Sequence, residues 1–290
     1  MLLTRPSVPS DVPAQRQLWQ LSFGDDGAYV DNFYNIYYRP ERVLVLEEDG
    51  IVRSMTAWFD TTFVLPGVGS YRAAYLYAVA THPDCRGRGL AAKLLADADD
   101  YFRTLNIPAV TTVPAEPSLH QFFGANGFGE CFTLIPETLD VSTLQAPNVE
   151  NPLRPASPAQ YNTVRESLLA DLPHISYGDD ALAFQASCCA LGGGGLFVGE
   201  TALGPVCLCA EGDGQGTMVF KELLGGPAAQ AILPHLPSKF PAQQHLVRTP
   251  MYSRQKETDG WKFAMLKWLD PSMAQTWDWS STAYLGLAFD

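Results

Sequence analysis

The chain has 290 residues, 47% of them hydrophobic and 17% charged, with a formal net charge of −12. That composition suits a globular protein with material for two modest cores, and no apolar run reaches the length needed to cross a bilayer. An acidic surface of this kind repels nucleic acid and anionic lipid and favours cationic partners, so neither nucleic acid nor membrane is expected as a partner. The acid surplus is shared: residues 1–150 hold 10 Lys+Arg against 18 Asp+Glu, and residues 151–290 hold 9 against 13.

The first residues carry Pro6 and Pro9 where an export signal needs a sustained apolar stretch, so a cytoplasmic protein is expected. Six cysteines in a chain of this length show no disulfide framework and read as reduced thiols. "SDVPAQRQLWQLSF" predicts a helix capped by Ser10 or Asp11. "FYNIYY" (Phe33 to Tyr38) is an aromatic stretch, helical or loop, that either lines a ligand pocket or packs between domains. "RVLVLEEDGIVRSMTAWFDTTFVL" reads as two strands split at Asp49-Gly50, a strong hairpin signal. "YRAAYLYAVATHP" is a third strand, broken at Pro83. A helix starts at Gly89 and stops before Pro108, with Leu90, Leu94, Ala98 and Phe102 on one face. "AVTTV" is a strand, and "SLHQFFGANGF" is a short helix stopping at Gly127.

A Pro-rich stretch near residues 140–155 reads as a linker. Beyond it the order of elements restarts: a helix, three strands from Gly195 to Leu224, a helix over "PAAQAILPHL", then strands in "HLVRTPMY", "KFAMLKWL" and "TAYLGLAFD". Two copies of one fold are expected, 1–140 and 153–290. Cys188-Cys189 and Cys207/Cys209 lack histidines at zinc spacing and read as buried thiols, so no metal is expected. "LGGGGLF" leads into a strand, which makes it a flexible turn and no phosphate cradle.

The chemistry concentrates in "THPDCRGRGLAAKLL". Gly87 and Gly89 bare the backbone at a helix start, where the helix dipole adds partial positive charge and Arg86 and Arg88 add full charges. Together they make an anion site, most naturally for a phosphate or pyrophosphate. The loop lacks both the Gly-Lys-Ser/Thr of a Walker loop and the three-glycine dinucleotide spacing.

"VATHPDCRGRGLAAKLL", with its Arg86-x-x-Gly89-x-Ala91 core, resembles the coenzyme A segment of the GNAT superfamily of acyl-CoA-dependent N-acyltransferases. The downstream Gly127-Phe128 matches the family's Gly-Phe signature. The resemblance covers residues 1–135 well; the second half matches in element order alone and resembles the degenerate second domain of tandem members. It implies an α/β fold with a mixed α+β sheet: two tandem GNAT-like domains, each a central mixed β-sheet flanked by helices. It implies that the amides of Arg86, Gly87, Arg88, Gly89, Leu90, Ala91 and Ala92 hold the pyrophosphate of acetyl-CoA. Val79, Ala80 and Thr81 would pair with the pantetheine at a bulge that splays the sheet, and the Val79 amide would face the thioester oxygen. The implied reaction moves an acetyl group to a primary amine of a small, cationic acceptor.

The sequence departs from the family where a tyrosine usually protonates the leaving thiolate, for that position holds Phe123, which would lie beside the coenzyme. Tyr77 and Tyr75, or a water held by Glu116 or His120, are the substitutes, and Glu116 is the candidate base. The first half also resembles enhanced-intracellular-survival-type acetyltransferases, which implies the Asp290 terminus as another base. The rival reading, which Phe123 favours, is an acyl-CoA-binding sensor or scaffold with little turnover.

Overall fold

The computed structural model describes residues 1–145, 149–251 and 260–289. They fall into two compact units that interleave along the chain. The first comprises 1–63, 70–131 and 264–281, and the second 64–69, 132–263 and 282–290.

The first unit begins with β1 (Leu2–Pro6), α1 (Val12–Phe23) and α2 (Gly27–Asn32), followed by a π-helical turn over Phe33–Tyr37. Then come β2 (Val43–Glu48), β3 (Ile51–Leu65) and β4 (Gly69–Thr81). Asp49 and Gly50 both have positive φ, 52° and 80°, as a two-residue hairpin turn that matches strand twist requires. Asp11 does sit at the α1 N-cap, but its side chain does not cap the helix. Its carboxylate instead takes the Val8 amide and the Arg5 guanidinium, and the Arg5 hydrogen bonds hold it below the usual carboxylate range.

After β4 come α3 (Leu90–Thr104), β5 (Ala109–Thr112) and α4 (Pro117–Ala125). The apolar stripe of α3 packs as its period requires. Leu90, Leu94, Ala98 and Phe102 are buried with Ala74 and Leu76 of β4, Val110 of β5 and Phe123 of α4. Each leucine, valine and phenylalanine among them contributes about 1.5–3 kcal/mol by leaving water.

The second unit contains most of β6 (Gly129–Thr138), then β7 (Arg154–Pro155), α5 (Pro158–Leu169), β8 (His174–Tyr177) and α6 (Asp179–Leu191). Next are β9 (Gly195–Thr201), β10 (Gly204–Gly212), β11 (Thr217–Leu224), α7 (Pro227–Ile232), α8 (Leu236–Lys239) and β12 (Gln244–Pro250). Most of β13 (Trp261–Trp268) and all of α9 (Pro271–Thr276) come next in the chain and belong to the first unit. The glycine run before β9 is a close-packed turn where flexibility was the expectation. A Cβ on Gly194 would lie 1.8 Å from the Ala210 carbonyl oxygen.

The two sheets share a pattern. In the first the order is β1-β2-β3-β4-β5-β13, with β4 and β5 parallel across α3 and β13 antiparallel to β5. In the second it is β7-β9-β10-β11-β12-β6, with β11 and β12 parallel across α7 and α8, and β6 antiparallel to β12. Each is a mixed sheet built from strand, two helices, three strands, helical connection and parallel strand. The first sheet takes its last strand from near the end of the chain, and the second takes its own from the segment after α4.

The closing stretch "TAYLGLAFD" is not the strand that its composition suggests. Gly286 turns it at φ +76°, and among the described residues only its Ala283 and Tyr284 form bridges, each isolated. Side chains take the backbone carbonyls instead. Tyr177 Oη donates to Leu285 O and Leu287 O at 3.0 and 2.8 Å, and Lys221 Nζ donates to Ala288 O at 3.3 Å. Asp290 lies outside the described residues.

Candidate active site

The parallel ladder between β4 and β5 ends at Leu76↔Thr112, while β4 continues to Thr81. Ala78, the next residue but one, has φ +50° in the middle of the strand. A β-carbon there costs about 1–2 kcal/mol, so the surrounding structure must hold it. Hydroxyls of β3 do so: Thr56 Oγ1 donates to Tyr77 O at 3.3 Å and Ser54 Oγ to Ala80 O at 2.7 Å. Ser54 Oγ also meets Thr81 Oγ1 at 2.8 Å.

The bulge reverses which side chains face which way. Ala74 and Leu76 pack under α3, and so does Val79, although strict alternation would turn it away. Tyr75 and Tyr77 lie on the other face, with rings 5.9 and 5.3 Å from that of Phe59. Among the described residues the β4–β5 ladder does not continue past Leu76↔Thr112, which leaves the β5 side of Val79, Ala80 and Thr81 open to an extended ligand.

Immediately beyond, a 3₁₀ turn over Pro83–Cys85 leads into the glycine loop. Gly87 and Gly89 have φ +74° and +75°, and a Cβ built on either meets no atom within 4 Å. Space and conformation both ask for glycine and leave room for a ligand. The first amide bonded back to the start of α3 is that of Lys93, to Gly89 O at 3.0 Å. The amides of Leu90, Ala91 and Ala92 therefore lie ahead of the helical ladder, at its positive end. Arg86 Nε bonds Thr81 O at 3.3 Å, and Arg88 pairs with Glu48 of β2. That pair raises the Arg88 pKa and lowers that of Glu48.

Phe123 is buried, and the reason lies in the end of α4. Gly127 N bonds Gly124 O at 3.0 Å and Phe128 N bonds Phe123 O at 3.1 Å, the paired bonds of a Schellman motif with Gly127 at φ +90°. Such a motif brings together the residues at its two ends, and the rings of Phe123 and Phe128 meet at 5.5 Å. The Gly-Phe signature thus has a local cause: glycine takes the left-handed position and the phenylalanine packs on Phe123.

The remaining candidates divide between the two faces. Tyr77 is half-buried, packed against Trp19 at 5.3 Å and Phe33 at 6.0 Å, and its hydroxyl lies 3.0 Å from that of Tyr29. Trp19 Nε1 donates to Asp25 at 2.6 Å, which puts a carboxylate beside this aromatic group. Glu116 is the exposed N-cap of α4 and accepts from Ser118 Oγ at 3.4 Å. His120 is engaged by Glu130 at 2.8 Å. The loop residues 86–92 and the splayed strand 79–81 are contiguous; no hydrogen bond joins Glu116 to Tyr77 among the described residues. The sequence reading missed Trp19, Asp25, Tyr29 and Lys267. No motif marks the first three, and the alternation of "KFAMLKWL" is the one signal for Lys267.

Among the described residues no group of three or more His, Cys, Asp or Glu gathers to hold a metal, and no helix is long and apolar enough to cross a membrane. All six cysteines are buried and none forms a disulfide.

Residues 4–128 match the family model described as an acetyltransferase (GNAT) domain. No curated protein matches the sequence. Among solved structures, a GCN5-related N-acetyltransferase from Anabaena variabilis superposes with TM-score 0.71 at 12% identity, covering 93% of this chain and 73% of that one. Eis1 from Mycobacterium abscessus gives 0.66 at 12%, over 93% and 74%. A putative acetyltransferase from Pyrococcus horikoshii gives 0.59 at 11%, over 99% and 95%. At such identities the likeness is one of fold. The segment that holds the splayed strand and the glycine loop is thus similar to the acetyltransferase (GNAT) domain, over residues 4–128.

Proposed function

We propose that the protein transfers an acetyl group from acetyl-CoA to a primary amine of a small cationic acceptor. The observation that carries this reading is the parting of β4 and β5 at Leu76↔Thr112, with a bulge at Ala78 and the α3 amides just beyond. The amides from Arg86 to Ala92 hold the pyrophosphate, and Val79, Ala80 and Thr81 pair with the pantetheine. The amine nitrogen attacks the thioester carbon, the carbonyl oxygen becomes an oxyanion facing the Val79 amide, and the C–S bond then breaks. A base accepts the ammonium proton, and Glu116 is the candidate. The thiolate takes a proton from Tyr77 or water, because Phe123 has none to give. The cationic acceptor is supported by Asp25 beside Trp19 and Tyr77, by the aromatic wall, and by the net charge of −12.

In this reading residues 1–140, apart from most of β6 and with β13 added, form the acetyltransferase domain, and residues 153–290, apart from β13 and with β6 added, form a degenerate copy without a glycine-arginine loop. The test is release of coenzyme A thiol from acetyl-CoA in the presence of pooled amines. Turnover with cationic amines is expected. Coenzyme A binding without turnover of any amine would instead favour the sensor or scaffold reading, which the commitment of the Phe123 ring to Phe128 also supports.

A further inference from the structure

Lys267 lies on β13, directly across from Val110 of β5. Its neighbour two residues back, Met265, is buried under α3, and the alternation of the strand sends Lys267 to the same side. There its Nζ has partners from two other elements. It pairs with Asp99 on α3 and donates to Asn126 O, the C-cap carbonyl of α4, at 2.7 Å. It also lies 5.4 Å from the centroid of the Phe128 ring. Gly127 is shaped by it: a Cβ there would stand 3.1 Å from Lys267 Cε.

The Schellman bonds satisfy the carbonyls of Phe123 and Gly124 but leave that of Asn126 to another donor. A cation at the negative end of a helix is favourable in itself, and a charge-assisted bond there is stronger than a neutral one. The turn it holds carries Phe123 and Phe128, which pack in one cluster with Leu76 and Val79 on either side of the bulge. We propose that Lys267 is a positioning residue for the coenzyme site: its cap on Asn126, beyond its ion pair with Asp99, sets the depth of the α4 end against the splayed strand. The inference rests on the acyl-CoA reading of that strand.

The two roles of Lys267 can be separated. Lys267→Met alone orphans the buried Asp99 carboxylate and should lower the melting temperature. Adding Asp99→Asn removes the orphan and should restore most of it, but the Asn126 carbonyl stays uncapped. Calorimetry with coenzyme A should then show about a tenfold higher Kd for the double variant, near 1.4 kcal/mol. Asp99→Asn alone keeps the cap and should bind as the wild type does. A double variant with wild-type affinity, or an Asp99→Asn variant as weakened as the double one, overturns the proposal. If the double variant does not fold, the Asp99→Asn measurement still decides. Absence of coenzyme A binding by the wild type itself would overturn the acyl-CoA reading, a result separate from either variant outcome.

Discussion

Arg88 and Glu48 face each other across the glycine loop, with Nη1 bonded to Oε2 at 3.1 Å and Nη2 bonded to Oε1. The carboxylate therefore holds a cation that an incoming pyrophosphate would also engage, and it adds a negative charge nearby. Glu48→Gln should free the guanidinium and lower the Kd for coenzyme A by roughly twofold to fivefold at low salt, with the gain shrinking as salt screens it. Titration calorimetry at two ionic strengths checks this; unchanged or weaker binding would place the phosphates away from Arg88.

Gly89 stands at φ +75° with open space around its missing side chain. Gly89→Glu should nearly abolish coenzyme A binding, since the new group fills that space and repels phosphate. The same reading expects one coenzyme A per chain, because the glycine turn after β11, Gly225-Gly226, carries no arginine and leads into a helix of six residues. Two equivalent sites in calorimetry would contradict it.

Phe123→Tyr and Tyr77→Phe are informative as a pair. If no other group protonates the thiolate, a hydroxyl at 123 should raise kcat, by about 100-fold where general acid help operates fully. If Tyr77 serves, its loss should lower kcat with little change in coenzyme binding, and Phe123→Tyr should be near neutral. Steady-state kinetics that show kcat untouched in both variants would remove both residues from leaving-group protonation.

Burial raises the pKa of Asp99 above the ordinary carboxylate value, against the lowering pull of Lys267. Its folded pKa exceeds its unfolded one, so stability is lost as pH rises through that interval. Lys267→Met removes the lowering influence and widens the interval upward. The variant should therefore lose more melting temperature relative to wild type at pH 8 than at pH 5, and Asp99→Asn should cancel the difference. Thermal unfolding at the two pH values is the measurement.

Asp25→Asn should raise KM for a cationic amine several-fold and leave the acetyl-CoA KM unchanged, because a partly buried carboxylate on an aromatic wall acts on the acceptor's charge. Equal effects on both KM values would show that Asp25 supports the fold through Trp19 instead.

The Asp49-Gly50 hairpin, the α3 stripe and the glycine loop were all legible in the sequence, because each is decided by neighbours within a few residues. Gly127 was legible as a helix stop; that it also clears a path for Lys267 was not, since the lysine lies 140 positions later. The left-handed Ala78 carries no signal, because alanine is a poor choice for that conformation and only tertiary bonds from Ser54 and Thr56 hold it. "KFAMLKWL" could be read as a strand, but nothing in its pattern named β5 as its neighbour. "TAYLGLAFD" misled because its composition is that of a strand, while Gly286 and the side-chain donors Tyr177 and Lys221 decide its path.

The late arrival of β13 bears on how the protein is made. β5 emerges from the ribosome about 150 residues before its antiparallel neighbour, an interval of roughly eight to thirty seconds at about 5–20 residues per second. During that time the nascent first sheet presents an open edge, and Asp99 waits without its lysine. A nascent chain that stops between β5 and β13 keeps that edge unpaired and sticky, for chaperones or proteases to deal with.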